Sequence, residues 1–148
     1  NSDTLKSYYF ICAGKISGIE LPDYNSVDNL EVRVGYMSNE EFISTLTKCD
    51  LLLLPYTKIS DSGIVKTAIA HGIPVALSEI DSFKESYIDN GLALSLGNCS
   101  WEELDSFFIN LDISELENVK NRYHEYRDTD NSWLVHSNGL INIWKDHI

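Results

Sequence analysis

The sequence predicts an α/β fold: one doubly wound, mostly parallel, Rossmann-like sheet spanning all 148 residues. Three observations predict it. Short, wholly apolar runs such as Leu51-Leu52-Leu53-Leu54 suit strands covered on both faces. Helical segments opened by capping residues alternate with those runs. The length fits one domain and not comfortably two.

Taken in order, residues 8–16 (YYFICAGKI) are aromatic and β-branched and predict a first buried strand. Residues 17–29 hold Gly18, Pro22, Asp23, Asn25 and Ser26 and predict a loop. Residues 30–34 (LEVRV) alternate apolar and polar as a second strand, closed by Gly35. Ser38 with Glu41 forms a capping box, opening a helix to about Lys48 with Phe42, Ile43 and Leu46 inward. Residues 51–54 are the third strand. Residues 56–63 (YTKISDSG) are a polar loop, and residues 64–71 a helix of small residues closed by Gly72. A strand at 73–77, a short helix at 83–90 stopped by Gly91, and a strand at 92–96 follow. Ser100 with Glu103 caps the next helix, to about Asn110. Another helix runs from Ser114 to about Arg127, and a terminal one over about 133–147.

Composition excludes several functions. Eleven Lys+Arg against 23 Asp+Glu give a net charge of −12, a surface that repels a nucleic-acid backbone. No run of 18 apolar residues exists to span a membrane. Cys12, Cys49 and Cys99 are odd in number and widely spaced, which fits neither a disulfide framework nor a zinc site. Reduced thiols point to a cytoplasmic setting, and Cys12 and Cys49, beside buried strands, read as inert core thiols.

Ligands of open parallel sheets bind beyond the carboxyl ends of the strands. Here those ends carry Gly14-Lys15, Gly35-Tyr36-Met37, Pro55-Tyr56, Ser78-Glu79 and Gly97-Asn98. The turn Ser60-Asp61-Ser62-Gly63 leads into a helix start, whose exposed N–H groups suit an anion. Gly63 admits a ligand close to the backbone, Ser60 and Ser62 offer hydroxyls, and Lys58 and Lys66 flank the turn. The plainer reading makes Ser60 or Ser62 only a helix cap and the lysines solvated. Asp128-Thr129-Asp130 matches a D-x-D metal motif, but in a polar break between helices it reads as a turn and cap. Asn98-Cys99-Ser100 matches a glycosylation acceptor, but Ser100 is better explained as the cap. His71, His124, His136 and His147 lack metal-ligand spacing. Glu79 and Glu85 are further candidates to face the cleft.

The run from Asp50 to Val75, DLLLLPYTKISDSGIVKTAIAHGIPV, set between strand-ends at Gly14 and Gly35 and a late Ser132-Trp133, resembles the C-terminal half of a GT-B glycosyltransferase of the retaining family 4 type. The likeness covers nearly the whole chain and is most specific over Asp50–Val75. It implies a domain holding a nucleotide-diphosphate-sugar donor, with the base near Gly35, Tyr36 and Met37. The pyrophosphate would lie on Ser62, Gly63, Ile64 and Val65, and Thr67 would reach the ribose. Retaining sugar transfer to a glycan or polysaccharide precursor follows, with no obligatory metal and no further cofactor. Two glutamates common in that family correspond here to Ile59 and Thr67, so no catalytic residue is assigned. The alternative is a degenerate accessory module that binds a partner transferase. A receiver or flavodoxin-like domain fits less well, because Asp50 begins its strand instead of ending it. The resemblance further implies that a first β-α unit, with its strand at the sheet centre, and an N-terminal acceptor domain are absent from these residues. Peripheral membrane contact would come through that absent part. The start at Asn1 without an initiator methionine agrees with an excised piece, inactive alone.

Overall fold

A computed structural model describes residues 3–15, 23–58 and 62–127. The remaining residues, among them Ile59, Ser60, Asp128-Thr129-Asp130, Ser132-Trp133 and the expected terminal helix, lie outside the described residues.

The chain enters through a 3-10 turn, Asp3–Ser7, then forms β1 (Phe10–Gly14) and β2 (Leu30–Val34). Asn29 ties the entry down, donating from its amide to the carbonyls of Leu5 (2.9 Å) and Tyr8 (2.8 Å). Helix α1 (Asn39–Leu46) begins at the expected capping box. Ser38 accepts from the Glu41 amide, and the Glu41 carboxylate accepts from the Ser38 amide. Next come β3 (Leu52–Leu54), α2 (Gly63–Ala70) and β4 (Val75–Leu77). Gly72, with φ at +72°, takes the left-handed conformation that ends α2. The single turn α3 (Asp81–Phe83) widens into a π-helical turn, Lys84–Ile88, so this segment begins before the expected residue 83. Strand β5 is only Leu94–Ser95, because the Leu92 amide donates back to Tyr87 and closes the preceding turn. Helix α4 (Trp101–Asn110) opens on the second capping box, at Ser100 and Glu103. Ser100 is therefore a cap, as its spacing predicts. Helix α5 (Ile113–Arg127) starts beside Asp112, whose carboxylate accepts from the Ser114 amide at 2.9 Å.

All described strand pairs are parallel, as expected of α/β architecture. A single sheet was expected, and here the structure differs. Among the described residues β1 pairs with β2 alone, from Phe10 opposite Leu30 to Gly14 opposite Val34. β3, β4 and β5 form a separate sheet in that order, with Leu52 opposite Val75 and Leu77 opposite Ser95. The physical reason is that β1 and β3 line one cleft instead of lying alongside each other, so no ladder joins them.

The core lies over the three-stranded sheet. Val65, Ala68 and Ile69 of α2, Val75 and Leu77 of β4, Phe83, Tyr87, and Val119 and Tyr123 of α5 form one cluster, with Phe42 packed against it. Leu46 of α1 joins them. The β1–β2 pair is held mainly by aromatic contacts: Phe10 meets Phe108 of α4 edge-on at 5.3 Å, and Tyr8 lies 5.0 Å from the same ring. Cys12 is exposed, not a core thiol, because β1 is left partly uncovered.

Candidate functional site

A cleft of about 1670 Å³ separates the two sheets. All five residues of β1 and all three of β3 line it, with Leu30 alone from β2. Its apolar floor includes Phe42 and Leu46 of α1. At the carboxyl ends of the strands the wall turns more polar, with Gly14-Lys15, Gly35-Tyr36-Met37 and Pro55-Tyr56, and Gly63, Ile64 and Thr67 reach it from α2. Gly35, Tyr36, Met37, Gly63, Ile64 and Thr67, far apart in sequence, thus share one cleft.

Each is positioned for a local reason. Tyr36 follows the end of β2 and is 91% exposed, unclaimed by the core. Gly63 and Ile64 are the first two residues of α2, where backbone N–H groups have no intrahelical acceptor. A Cβ placed on Gly63 would meet nothing within 4 Å, so the approach to this helix start is open. Ser62 is buried and serves as the cap, its hydroxyl accepting from the Val65 amide at 3.4 Å. The Val65 side chain is fully buried in the core, which leaves only its backbone near the site. The Thr67 hydroxyl donates to the Gly63 carbonyl at 2.8 Å. Lys58 is exposed and does not line the cleft.

Two helices begin beside the cleft, at Asn39 and Gly63, and they differ in charge. The first turn of α1 carries Glu40 and Glu41, and the Glu41 carboxylate folds back onto the Ser38 amide. The first turn of α2 carries no acidic residue. Only α2 therefore presents an N-terminal dipole without a carboxylate of its own.

Among cations, Arg33 at the end of β2 is committed elsewhere. Its Nε donates to Glu31 Oε1 at 2.6 Å and its Nη1 to Thr45 at 2.7 Å. That hydrogen bond with Glu31 lowers the Glu31 pKa and raises that of Arg33. Of the two described lysines that line the cleft, Lys6 is held by Asp3 at 2.7 Å, and Lys15 follows the end of β1. Its position immediately after a strand-end glycine was the available signal.

Cys49 also lines the cleft, but burial, then the neighbouring Asp50 carboxylate, push its thiol pKa up, so it stays protonated. Neither Glu79 nor Glu85 reaches the cleft. Glu79 accepts from the Ser95 hydroxyl at 2.6 Å. Ser78, almost fully buried, donates its hydroxyl to the Tyr56 carbonyl and ties the ends of β3 and β4 together. Among the described residues, no cluster of three His, Cys, Asp or Glu side chains could hold a metal ion. Among them also, no helix is long and apolar enough to cross a membrane. No protein-family model matches the chain, and no curated protein is significantly similar to it.

Proposed function

We propose that this chain is the donor-holding half of a glycosyltransferase that uses a nucleotide-diphosphate sugar. What supports the reading is the convergence of residues 35–37 and 63–67 on one cleft, at the carboxyl ends of parallel strands and beside the one bordering helix start that lacks a carboxylate. In this reading the exposed Tyr36 ring stacks on the base, with Gly35 and Met37 beside it. The N–H groups of Gly63 and Ile64 take the pyrophosphate, and Lys15 adds a positive charge. As the bond from the anomeric carbon to the phosphate oxygen breaks, negative charge grows on the departing diphosphate, and prearranged N–H donors stabilise it. The acceptor sits on a domain outside these residues, and transfer retains anomeric configuration.

Calorimetric titration of the intact protein with UDP, GDP and their sugars tests the reading, with micromolar-range binding expected. No binding of any of them would overturn it. The sharper variant is Gly63→Val. Open space surrounds this position, so the fold tolerates the side chain, while the branched group blocks the backbone N–H groups. We expect an affinity loss of about tenfold or more with little change in melting temperature. Unchanged nucleotide affinity would mean the pyrophosphate lies elsewhere.

A second reading, a non-catalytic accessory module, draws support from Thr67. Its hydroxyl proton is given to the Gly63 carbonyl within the helix and is not directed at a ribose. Nucleotide binding separates the two, since an accessory module would show none.

A further inference from the structure

We propose that Ser78 is a positioning residue for the anion end of the cleft: its buried hydroxyl holds the Tyr56 carbonyl away from the place a diphosphate would take, and the Cys99 thiol orients that hydroxyl. The inference deepens the donor reading above and rests on it.

Burial singles Ser78 out. It is 2% exposed and directly follows Val75, Ala76 and Leu77, a strand without a polar side chain. An apolar residue would cost less there, because a buried hydroxyl must find a partner. Among the described residues Ser62 is the other buried serine, and it caps the helix start of the proposed site.

The partner of Ser78 is the chain leaving β3. At Pro55 that chain turns out of the ladder. The Leu54 carbonyl accepts from the Tyr56 amide at 2.9 Å as well as from the Ser78 amide at 3.5 Å. The β3–β4 ladder ends with Leu54 opposite Leu77, so the Tyr56 carbonyl has no place in it. The Ser78 hydroxyl donates to that carbonyl instead. The Tyr56 ring is held as well, 6.1 Å from Phe83. Pro55 and Tyr56 line the cleft, as do Lys15, Gly63 and Ile64, whereas Ser78 does not. The hydrogen bond therefore draws the carbonyl oxygen off the cleft and toward the sheet. That direction matters to an anion. A carbonyl oxygen turned into the cleft would repel a phosphate, while the N–H groups of a helix start attract one.

The hydroxyl is aimed from the other side. The Cys99 thiol is hydrogen-bonded to the Ser78 side chain. Because Ser78 gives its own proton to Tyr56, it accepts from the thiol. Burial pushes the Cys99 thiol pKa up, so the thiol keeps the proton it donates. Cys99 reaches Ser78 from the turn between β5 and α4, with φ at +61°, the one positive value at a non-glycine among the described residues. A side chain in that left-handed region is strained, and glycine would relieve the strain. A use for the thiol explains why a cysteine stands there.

The test is a set of paired titrations of the intact protein, followed by amide shifts in NMR: UDP with uridine, and GDP with guanosine. The ratio of diphosphate to nucleoside affinity isolates what the diphosphate contributes, and a general loss of structure lowers both together. In Cys99→Gly we expect that ratio to fall about fivefold, as for the loss of one directed hydrogen bond, with the melting temperature unchanged or raised. Cys99→Ser, whose hydroxyl can donate in place of the thiol, should keep the ratio. Ser78→Ala should lower it as much as Cys99→Gly, and the two together should lower it no further. If Ser78→Ala fails to fold, the two Cys99 variants decide alone. An unchanged ratio in Cys99→Gly overturns the inference and leaves the donor reading standing, as does an added loss in the double variant. Failure of the unsubstituted protein to bind either diphosphate overturns both.

Discussion

The two sheets are built from similar strands yet differ sharply in cover. In the three-stranded sheet, β4 is flanked on both edges, and Val75, Ala76 and Leu77 are all 0% exposed. In the two-stranded sheet neither strand has a fully buried residue, and Val34 is 57% exposed. Phe10-Ile11-Cys12-Ala13 is scarcely less apolar than Val75-Ala76-Leu77. The difference lies in neighbours: β4 has a strand on each side and α2 and α5 packed over it, while β1 has one strand and the edge of α4. Burial here belongs to position in the sheet more than to composition.

The largest expected effect tests that contrast directly. Leu77→Ala should cost about 2–5 kcal/mol, since a fully packed side chain leaves a cavity. Ile11→Ala should cost about 1 kcal/mol, because the half-buried side chain has less transfer free energy to lose. Chemical denaturation measures both, and equal losses would break the comparison.

Next is a pH effect confined to the well-covered side. Tyr123 is 0% exposed on α5, and burial raises its hydroxyl pKa well beyond the ordinary value, with the Val75 backbone lowering it by less. The folded form therefore holds its proton more tightly than the unfolded chain. Its contribution is fully present below the unfolded pKa near 10 and is lost as pH rises above it. Stability should fall above about pH 10, and Tyr123→Phe should flatten that part of the profile. A profile unchanged by the substitution would show that other groups cause the alkaline loss.

The smallest effects should ignore the contrast. Ser38→Ala, at the helix joining the two sheets, and Ser100→Ala should each cost about 1 kcal/mol, because a cap is a local device. Backbone hydrogen bonds, from Ser38 to Glu41 and from Ser100 to Glu103, hold both glutamate pKa values below the ordinary range. Their contribution is present above about pH 4.5 and lost as pH falls through the folded values. Glu41→Gln and Glu103→Gln should therefore each show a shallower acid limb in a pH titration of melting temperature, whereas the Ser→Ala variants keep the backbone donor and most of that limb. A cap whose loss is several times costlier than the other would tie it to tertiary packing.

Much of the fold was legible because its causes are local. Both capping boxes, the end of α2 at Gly72, and the strands in Leu51–Leu54 and 73–77 follow from spacing and side-chain type within a few residues. Strand ends were less legible: residues 92–96 narrow to Leu94–Ser95 because a neighbouring turn claims the Leu92 amide, a contact no local pattern encodes. The nominated site divides the same way. Gly63 and Ile64 were readable as a helix start, but which hydroxyls and cations stay available was not. Ser62 is used as a cap, Arg33 is held by Glu31, and Lys15 lines the cleft.

By itself, then, the sequence determined a parallel α/β chain, its helix starts and an open helix N-terminus, because propensity, capping and glycine conformations act over one or two turns of chain. The tertiary structure alone decided that the described strands fall into two sheets lining one cleft, because strand pairing depends on which backbone row lies alongside, and that neighbour is not set by nearby residues.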